Sequence, residues 1–481
     1  MQHPFKRKKA RAAVITVGHE PYWQQFPGLR EELNGYGKEF ERQLAALELV
    51  EVVDAGFVDT VGKAFAATEA LKKQDIDILF CFLSTYVTSS TAATPIIGLG
   101  VPTVLIALQP RDRLDYLNTT TCMQLANDNI CSLPEIAGVL VRAGKPAAGM
   151  IIGTLYDDEA AANELRSWCL AANARRAFKY ARIGYLGHTY EGMYDMNSDP
   201  TAFTVAFGAH VQMLEMCDLA AEVDAASPAE VEAKLKEIRE VFTIADPFID
   251  PVTRPILPED LQWSAKVAAG LDRLIANNEL TGLAYYYKGL DDNLYERIGA
   301  NMVLGNSLLT GKGVPLAGEA DLKTCAAMLI MDRLDAGGSF AELHPCDFRD
   351  DIVLVGHDGP HNIRIADDRP IIRGLELFHG KRGSGIGVEF SISAGPVTLL
   401  SIGQQAEGRY KMIVAEGQSI KGLIPQTGNT NTRCSFNRPV SEFVETWCSA
   451  GPTHHFALGT GHQAKAIRRV AGMLGIEVQT I

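Results

Sequence analysis

The chain has 481 residues, 47% hydrophobic and 21% charged, so at about 150 residues per domain it can build two or three separate cores. A net charge of -13, with no basic run beyond Lys6-Arg7-Lys8-Lys9, excludes a phosphate-neutralising nucleic-acid surface. Nine dispersed cysteines without a CxxC pair exclude a disulfide frame or a zinc knuckle and read as the reduced thiols of a cytoplasmic protein.

Near the N-terminus, AAVITV is too short for a signal-peptide core and reads as a first strand. No apolar stretch approaches the roughly 20 residues a membrane span needs. LVEVVDAGFV, DILFCFLS, VPTVLIAL and AAGMIIGTL continue the strand series, separated by helical periods over Leu29–Leu47, Val61–Lys73 and Pro134–Ala143. This alternation predicts a parallel sheet with helices on both faces. After a long helix, Asp157–Phe178, a second αβ series begins with ARIGYLGHT. Its helices are Ser227–Phe242, opened by a capping box with Pro228 in the first turn, Pro258–Asn278, and Asp321–Leu334, stopped by Ala336-Gly337-Gly338.

Beyond Gly338 the texture changes. RIAD, PIIRGLELF, GVEFSIS, VTLLSI and YKMIVAEG are short and strand-like, with Gly or Pro between them. Helical periods return at Pro439–Cys448 and Gln463–Leu474. The fold class read from this pattern is α/β: two doubly wound parallel-sheet domains, 1–176 and 177–336, then a β-rich antiparallel sheet or barrel, 337–481.

Seven of the eleven histidines follow residue 340: His344, His357, His361, His379, His454, His455 and His462. Two glutamates keep them company. Glu319 lies just ahead of a helix, where an acid can also simply complement the helix dipole. Glu342 lies in SFAELHPCDF, where it either faces water or, if buried, needs a partner or a metal to stay ionised. His357 closes the apolar strand DIVLVGHDG, and His454-His455 follow the turn SAGPT. Two carboxylates with two imidazoles, and no thiolate, suit Mn²⁺ or a similar divalent ion better than structural zinc. Paired acids at such a metal also suit proton transfer, an effect of about 10²–10⁴-fold. KRGSGIGVEF lacks the following helix of a dinucleotide fingerprint, and TGKG lacks the spacing of a phosphate loop.

Four segments resemble the L-arabinose isomerase and L-fucose isomerase superfamily, closer to the arabinose isomerase branch. GKGVPLAGEADLKTCAAM resembles its Glu-Gly-Asp-Trp-Lys-Thr segment, GGSFAELHPCDF its Ser-Phe-Met-Glu-Asp segment, DIVLVGHD its Val-Leu-Gly-Ser-His segment and SAGPTHHFAL its Gly-Gly-Ala-His-His segment. The resemblance implies that Glu319, Glu342, His357 and His455 hold a catalytic Mn²⁺, other divalent ions being alternatives. It implies that Glu319 and Glu342 also move protons in an aldose–ketose isomerisation through a cis-enediol. It further implies a cytoplasmic homo-oligomer, trimer or hexamer, acting on a small sugar, with no nucleic-acid or membrane partner. Three departures shift the expected sugar away from L-arabinose. Ala320-Asp321-Leu322 stands for Gly-Asp-Trp, Leu343-His344-Pro345-Cys346 replaces an aromatic run, and Glu20 sits where a substrate-contacting Gln is the family's pattern. The competing readings are a metal-dependent sugar epimerase or aldolase, and a non-catalytic sugar-binding module.

Overall fold

The computed structural model describes residues 8–246, 252–288, 292–359, 361–376, 384–425 and 430–481. His379 and the opening of KRGSGIGVEF lie outside them. The chain divides into two compact units, Arg7–Arg176 and Ala177–Ile481.

In the first unit, β1 (Arg11–Val17), β2 (Glu51–Val58), β3 (Ile78–Leu83), β4 (Thr103–Gln109) and β5 (Gly149–Thr154) form one parallel sheet in the order β2-β1-β3-β4-β5. The order reverses beside β1, the doubly wound arrangement the alternating pattern predicts. β3, ILFCFL, is buried along its whole length, because helices cover both faces of a parallel sheet and leave no position for a polar residue. The helix Ser89–Leu99 escapes sequence reading: it carries Pro95 inside it and opens on Ser89-Ser90-Thr91, which read as loop punctuation.

The second unit opens with a smaller parallel sheet. β6 (Arg182–Gly187) and β7 (His210–Leu214) pair with each other, and Gly282–Tyr286 and Leu316–Ala317 extend the sheet on the other side of β6. The helix Pro228–Val241 starts at Ser227, whose hydroxyl accepts from Glu230 N while the Glu230 carboxylate accepts from Ser227 N, the capping box legible in the sequence. The helix Leu322–Arg333 is buried at every residue but its last, so it shows almost no amphipathic period.

Behind that helix the strands Gly337–Asp347, Ile352–His357, Thr430–Phe436, Tyr410–Ile420, Gly395–Gln404 and Phe456–Thr460 pair antiparallel in a ring. Gly395–Gln404 pairs with both Tyr410–Ile420 and Phe456–Thr460, which closes a six-stranded barrel and leaves those strands without free edges. A short parallel strand, Glu477–Thr480, adds to Tyr410–Ile420. RIAD does not form the strand its composition suggests. Asn362 accepts from Arg364 N and caps a 3₁₀ turn over Ile363–Ile365, leaving only one bridge, Ala366 to Ile392.

Gly356 lies between Glu342 and Asn431 in the barrel register, and a Cβ there would sit 1.6 Å from the Thr430 carbonyl oxygen. Only glycine fits that approach. Gly356→Ala should therefore cost about 1–3 kcal/mol or more through forced strand separation. Scanning calorimetry of the full chain would read this as a lowered transition, and an unchanged midpoint would contradict the packing.

Candidate metal centre

The centre is built around one turn. After the strand Leu316–Ala317, residues Gly318–Ala320 form a 3₁₀ turn in which Glu319 and Ala320 both have φ of 56°. The left-handed region costs a non-glycine residue about 1–2 kcal/mol. Asp321 holds the turn in place. Fully buried, its Oδ1 accepts from Lys323 N at 3.0 Å and Thr324 N at 3.1 Å, and its Oδ2 accepts from the Thr324 hydroxyl at 2.7 Å. It thereby caps the helix Leu322–Arg333.

The same carboxylate reaches the far end of the chain. His455 Nδ1 lies 3.3 Å from Asp321 Oδ2, and the His455 ring is completely buried. An N–H on Nδ1 donating to Asp321 places the lone pair on Nε2, the tautomer a metal requires. His455 Nε2 has no hydrogen-bond partner among the described residues and lies 3.6 Å from Glu319 Oε2. Burial by itself would raise the Asp321 carboxyl, but His455 and the Lys323 charge outweigh it and hold it below the usual range.

The barrel supplies the other side. Glu342 Oε1 lies 4.0 Å from His357 Nε2 and 3.4 Å from His344 Nε2, while His344 Nδ1 is 2.6 Å from Asn431 Oδ1. Glu342 is thus the partly buried, partnered carboxylate that its apolar neighbours require. Burial would raise its carboxyl, yet the His344 contact and the nearby imidazoles bring it below the ordinary value and keep it ionised. Phe340 packs against both imidazoles, its centroid 4.7 Å from His357 and 4.3 Å from His455, and the two imidazoles are 5.1 Å apart.

Two overlapping groups of donor atoms result. One atom from each of Glu342, His357 and His455 lies within 4.8 Å of the other two, and the same holds for Glu319, His454 and His455. Two carboxylates and several imidazoles, without a thiolate and with a buried unpartnered Nε2, fit a hard-to-borderline divalent cation.

The structure therefore brings Glu319, Glu342, His357 and His455 together. Glu20 belongs to the other compact unit, where it is exposed in the turn after β1. His361 is buried against Phe390 and His462 lies 3.2 Å from the Gly417 carbonyl, both outside the two groups. Sequence reading missed Asp321 and Asp195. A helix-start Asp signals a cap and nothing more, and Asp195 meets His454 across 259 positions, where no local pattern operates.

With this geometry in hand, comparison with known proteins is decisive. Residues 192–337 match the L-arabinose isomerase central domain and residues 337–477 the L-arabinose isomerase C-terminal domain. The chain belongs to the L-arabinose isomerase family. It is 25% identical over 358 residues to an L-arabinose isomerase of a Nocardioides species, covering 72% of this chain and 68% of that one. A sulfoquinovose isomerase of Alkalicoccus urumqiensis is 25% identical over 332 residues, covering 67% and 70%. The L-arabinose isomerase of Yersinia enterocolitica is 22% identical over 337 residues, covering 67% and 64%. As a family member the chain is a sugar isomerase, an enzyme of the aldose–ketose class.

The family's glycine after the first glutamate is Ala320 in this isomerase, at a φ that favours glycine. Ala320→Gly should relieve about 1–2 kcal/mol of strain against about 0.5–1 kcal/mol of lost chain entropy. Thermal melting should show a small gain, and a clear loss would contradict the left-handed geometry. His361 offers a pH test. Burial pushes its imidazole down to about 3, and neither ring nitrogen has a hydrogen-bond partner among the described residues. The unfolded chain then binds the extra proton between about pH 6.5 and 3, so stability falls as pH drops through that window, by roughly 1 kcal/mol per unit. His361→Leu should flatten that slope in denaturant titrations, and an unchanged slope would refute the assignment.

Proposed function

We propose that this isomerase is Mn²⁺-dependent, that Glu319, Glu342, His357 and His455 hold the ion, and that Glu319 and Glu342 move the protons. The observation that carries the reading is His455: it is shared by both donor groups, its Nδ1 is set by Asp321, and each group adds one carboxylate to it. A bound divalent ion supplies Lewis-acid polarisation of the sugar's neighbouring carbonyl and hydroxyl oxygens.

The chain's own residues do the rest. One glutamate takes the proton from C2 of the open-chain aldose as the C1 carbonyl oxygen is protonated, leaving a cis-enediol. The other, carrying a proton, delivers it to C1, and the proton the C2 hydroxyl releases as the ketone forms replaces the one taken up at the C1 oxygen. Glu342 is ionised and partly open, so it is available to exchange protons with a substrate. His344, fixed by Asn431, holds that carboxylate in place, and Phe340 keeps the imidazoles packed and dry on one side.

Relatives named for L-arabinose and for sulfoquinovose support the shared chemistry more than any one sugar. We read the substrate as an aldose whose identity depends on the residues that depart from the family, Glu20 included. The organisation we favour is three domains, 1–176, 177–336 and 337–481, in a cytoplasmic homo-oligomer. No helix among the described residues is long and apolar enough to cross a membrane.

The test is to load the protein with Mn²⁺, screen aldoses in D₂O, and follow ketose formation together with deuterium uptake at the carbon receiving the proton. Turnover with solvent exchange is the expected result. Glu342→Gln should lower kcat by about 10²-fold or more with an unchanged circular dichroism spectrum. Wild-type turnover in that variant would remove the proton-transfer role.

A further inference from the structure

β5 (Gly149–Thr154, GMIIGT) ends the sheet of the first unit, and no strand among the described residues pairs with its outer edge. Its two faces differ. Gly149, Ile151 and Gly153 turn toward the helix Glu159–Lys179 and the residue before it: a Cβ on Gly149 would meet Trp168, one on Gly153 would meet Asp158 and Ala161, and Ile151 is buried. Met150 and Ile152 alternate onto the opposite face, where they are 40% and 59% exposed.

An unpaired edge is a template for another strand, and proteins blunt such edges with charges, prolines or bulges. The other edge of this sheet, β2, is blunted: it carries Glu51 and Asp54, and its register with β1 shifts between Val14 and Thr16. β5 contains no charge and no proline, and its register with β4 runs without a shift. Charge sits outside the strand instead, sorted by sign. Arg142 and Lys145 precede it, while Asp157, Asp158 and Glu159 follow it.

A chain of net charge -13 repels its own copies over most of its surface, so self-association has to use a strip that is neutral or matches opposite signs. β5 offers both. Two copies of β5 set antiparallel about a two-fold axis at Ile151 place Met150 opposite Ile152 of the second copy. The same arrangement brings the basic end of each strand beside the acidic end of the other, whereas parallel pairing sets like charge against like. We propose that β5 is a self-association edge whose occupant is β5 of a second copy, joining two five-stranded sheets into one. The proposal rests on the homo-oligomer reading above and deepens it by naming the surface, which makes the number of chains even.

The test is the mass of the full chain by analytical ultracentrifugation. Met150→Lys and Ile152→Glu, each alone, should halve the wild-type mass, because the two-fold contact then buries uncompensated charge twice. Both positions are exposed, so circular dichroism and melting of the dissociated chains should show an intact fold. An equal mixture of the two variants should regain the wild-type mass, since the antiparallel register sets the introduced lysine opposite the introduced glutamate. Amide hydrogen exchange along the outer edge of β5 should be slow in the wild type and the mixture, and fast in either variant alone. Single variants with wild-type mass, or an odd number of chains in the wild type, overturn the proposal. A mixture that stays dissociated overturns it too, since the occupant is then not an antiparallel β5. A monomeric wild type removes the homo-oligomer reading as well, whereas an oligomeric wild type with unchanged variants removes the proposal alone.

Discussion

The contact between Asp321 and His455 is the constraint on which the centre depends. A fully buried carboxylate is tolerated only when its oxygens are satisfied, and Asp321 meets that demand from two directions. Two backbone N–H groups and a hydroxyl from the first turn of the helix Leu322–Arg333 take part of its capacity. The imidazole of His455, just before the barrel strand Phe456–Thr460, takes the rest. Removing His455 would leave a buried charge short of a partner, and removing Asp321 would free both the helix start and the imidazole. The helix and the barrel are thereby locked in one register at the candidate centre.

That lock accounts for the strain beside it. Glu319 and Ala320 both occupy the left-handed region, an arrangement two non-glycine residues adopt together only when their surroundings over-determine it. Here the surroundings are the buried cap on one side and the parallel strand Leu316–Ala317 on the other. The result is a carboxylate placed 3.6 Å from His455 Nε2 without a flexible loop to carry it. Glu342 arrives by a different route, on a strand of a closed barrel, with His344 and Asn431 behind it. Two rigid elements deliver two carboxylates to one buried imidazole, which is the preorganisation that charge stabilisation and proton transfer both need.

Much of this was legible from residue patterns. The strands of the first unit are apolar runs of the right length between helical periods, so local burial and turn chemistry sufficed to find them. Ser227-Pro228 with Glu230 marked a helix start because capping is a short-range interaction. The helices Ser89–Leu99 and Val303–Gly311 were not legible: Ser89–Leu99 opens on Ser and Thr and carries Pro95, and Val303–Gly311 is buried at all but its last residue, so it has no polar face to betray its period. RIAD misled for the opposite reason, since its strand-like composition yields to one Asn362 side-chain bond.

At the centre the division is sharper. The sequence by itself determined the candidate acids and imidazoles, the family segments that carry them, and that Glu342 needs a partner if it is buried, because residue chemistry is local. Only the tertiary structure decided which imidazoles converge, that His361 is buried away from the two groups, and that Asp321 and Asp195 each hold one of the adjacent histidines. Those pairings cross 134 and 259 positions. Contacts of that span exist only once the helix and the barrel are packed together, and no periodicity in the chain encodes them.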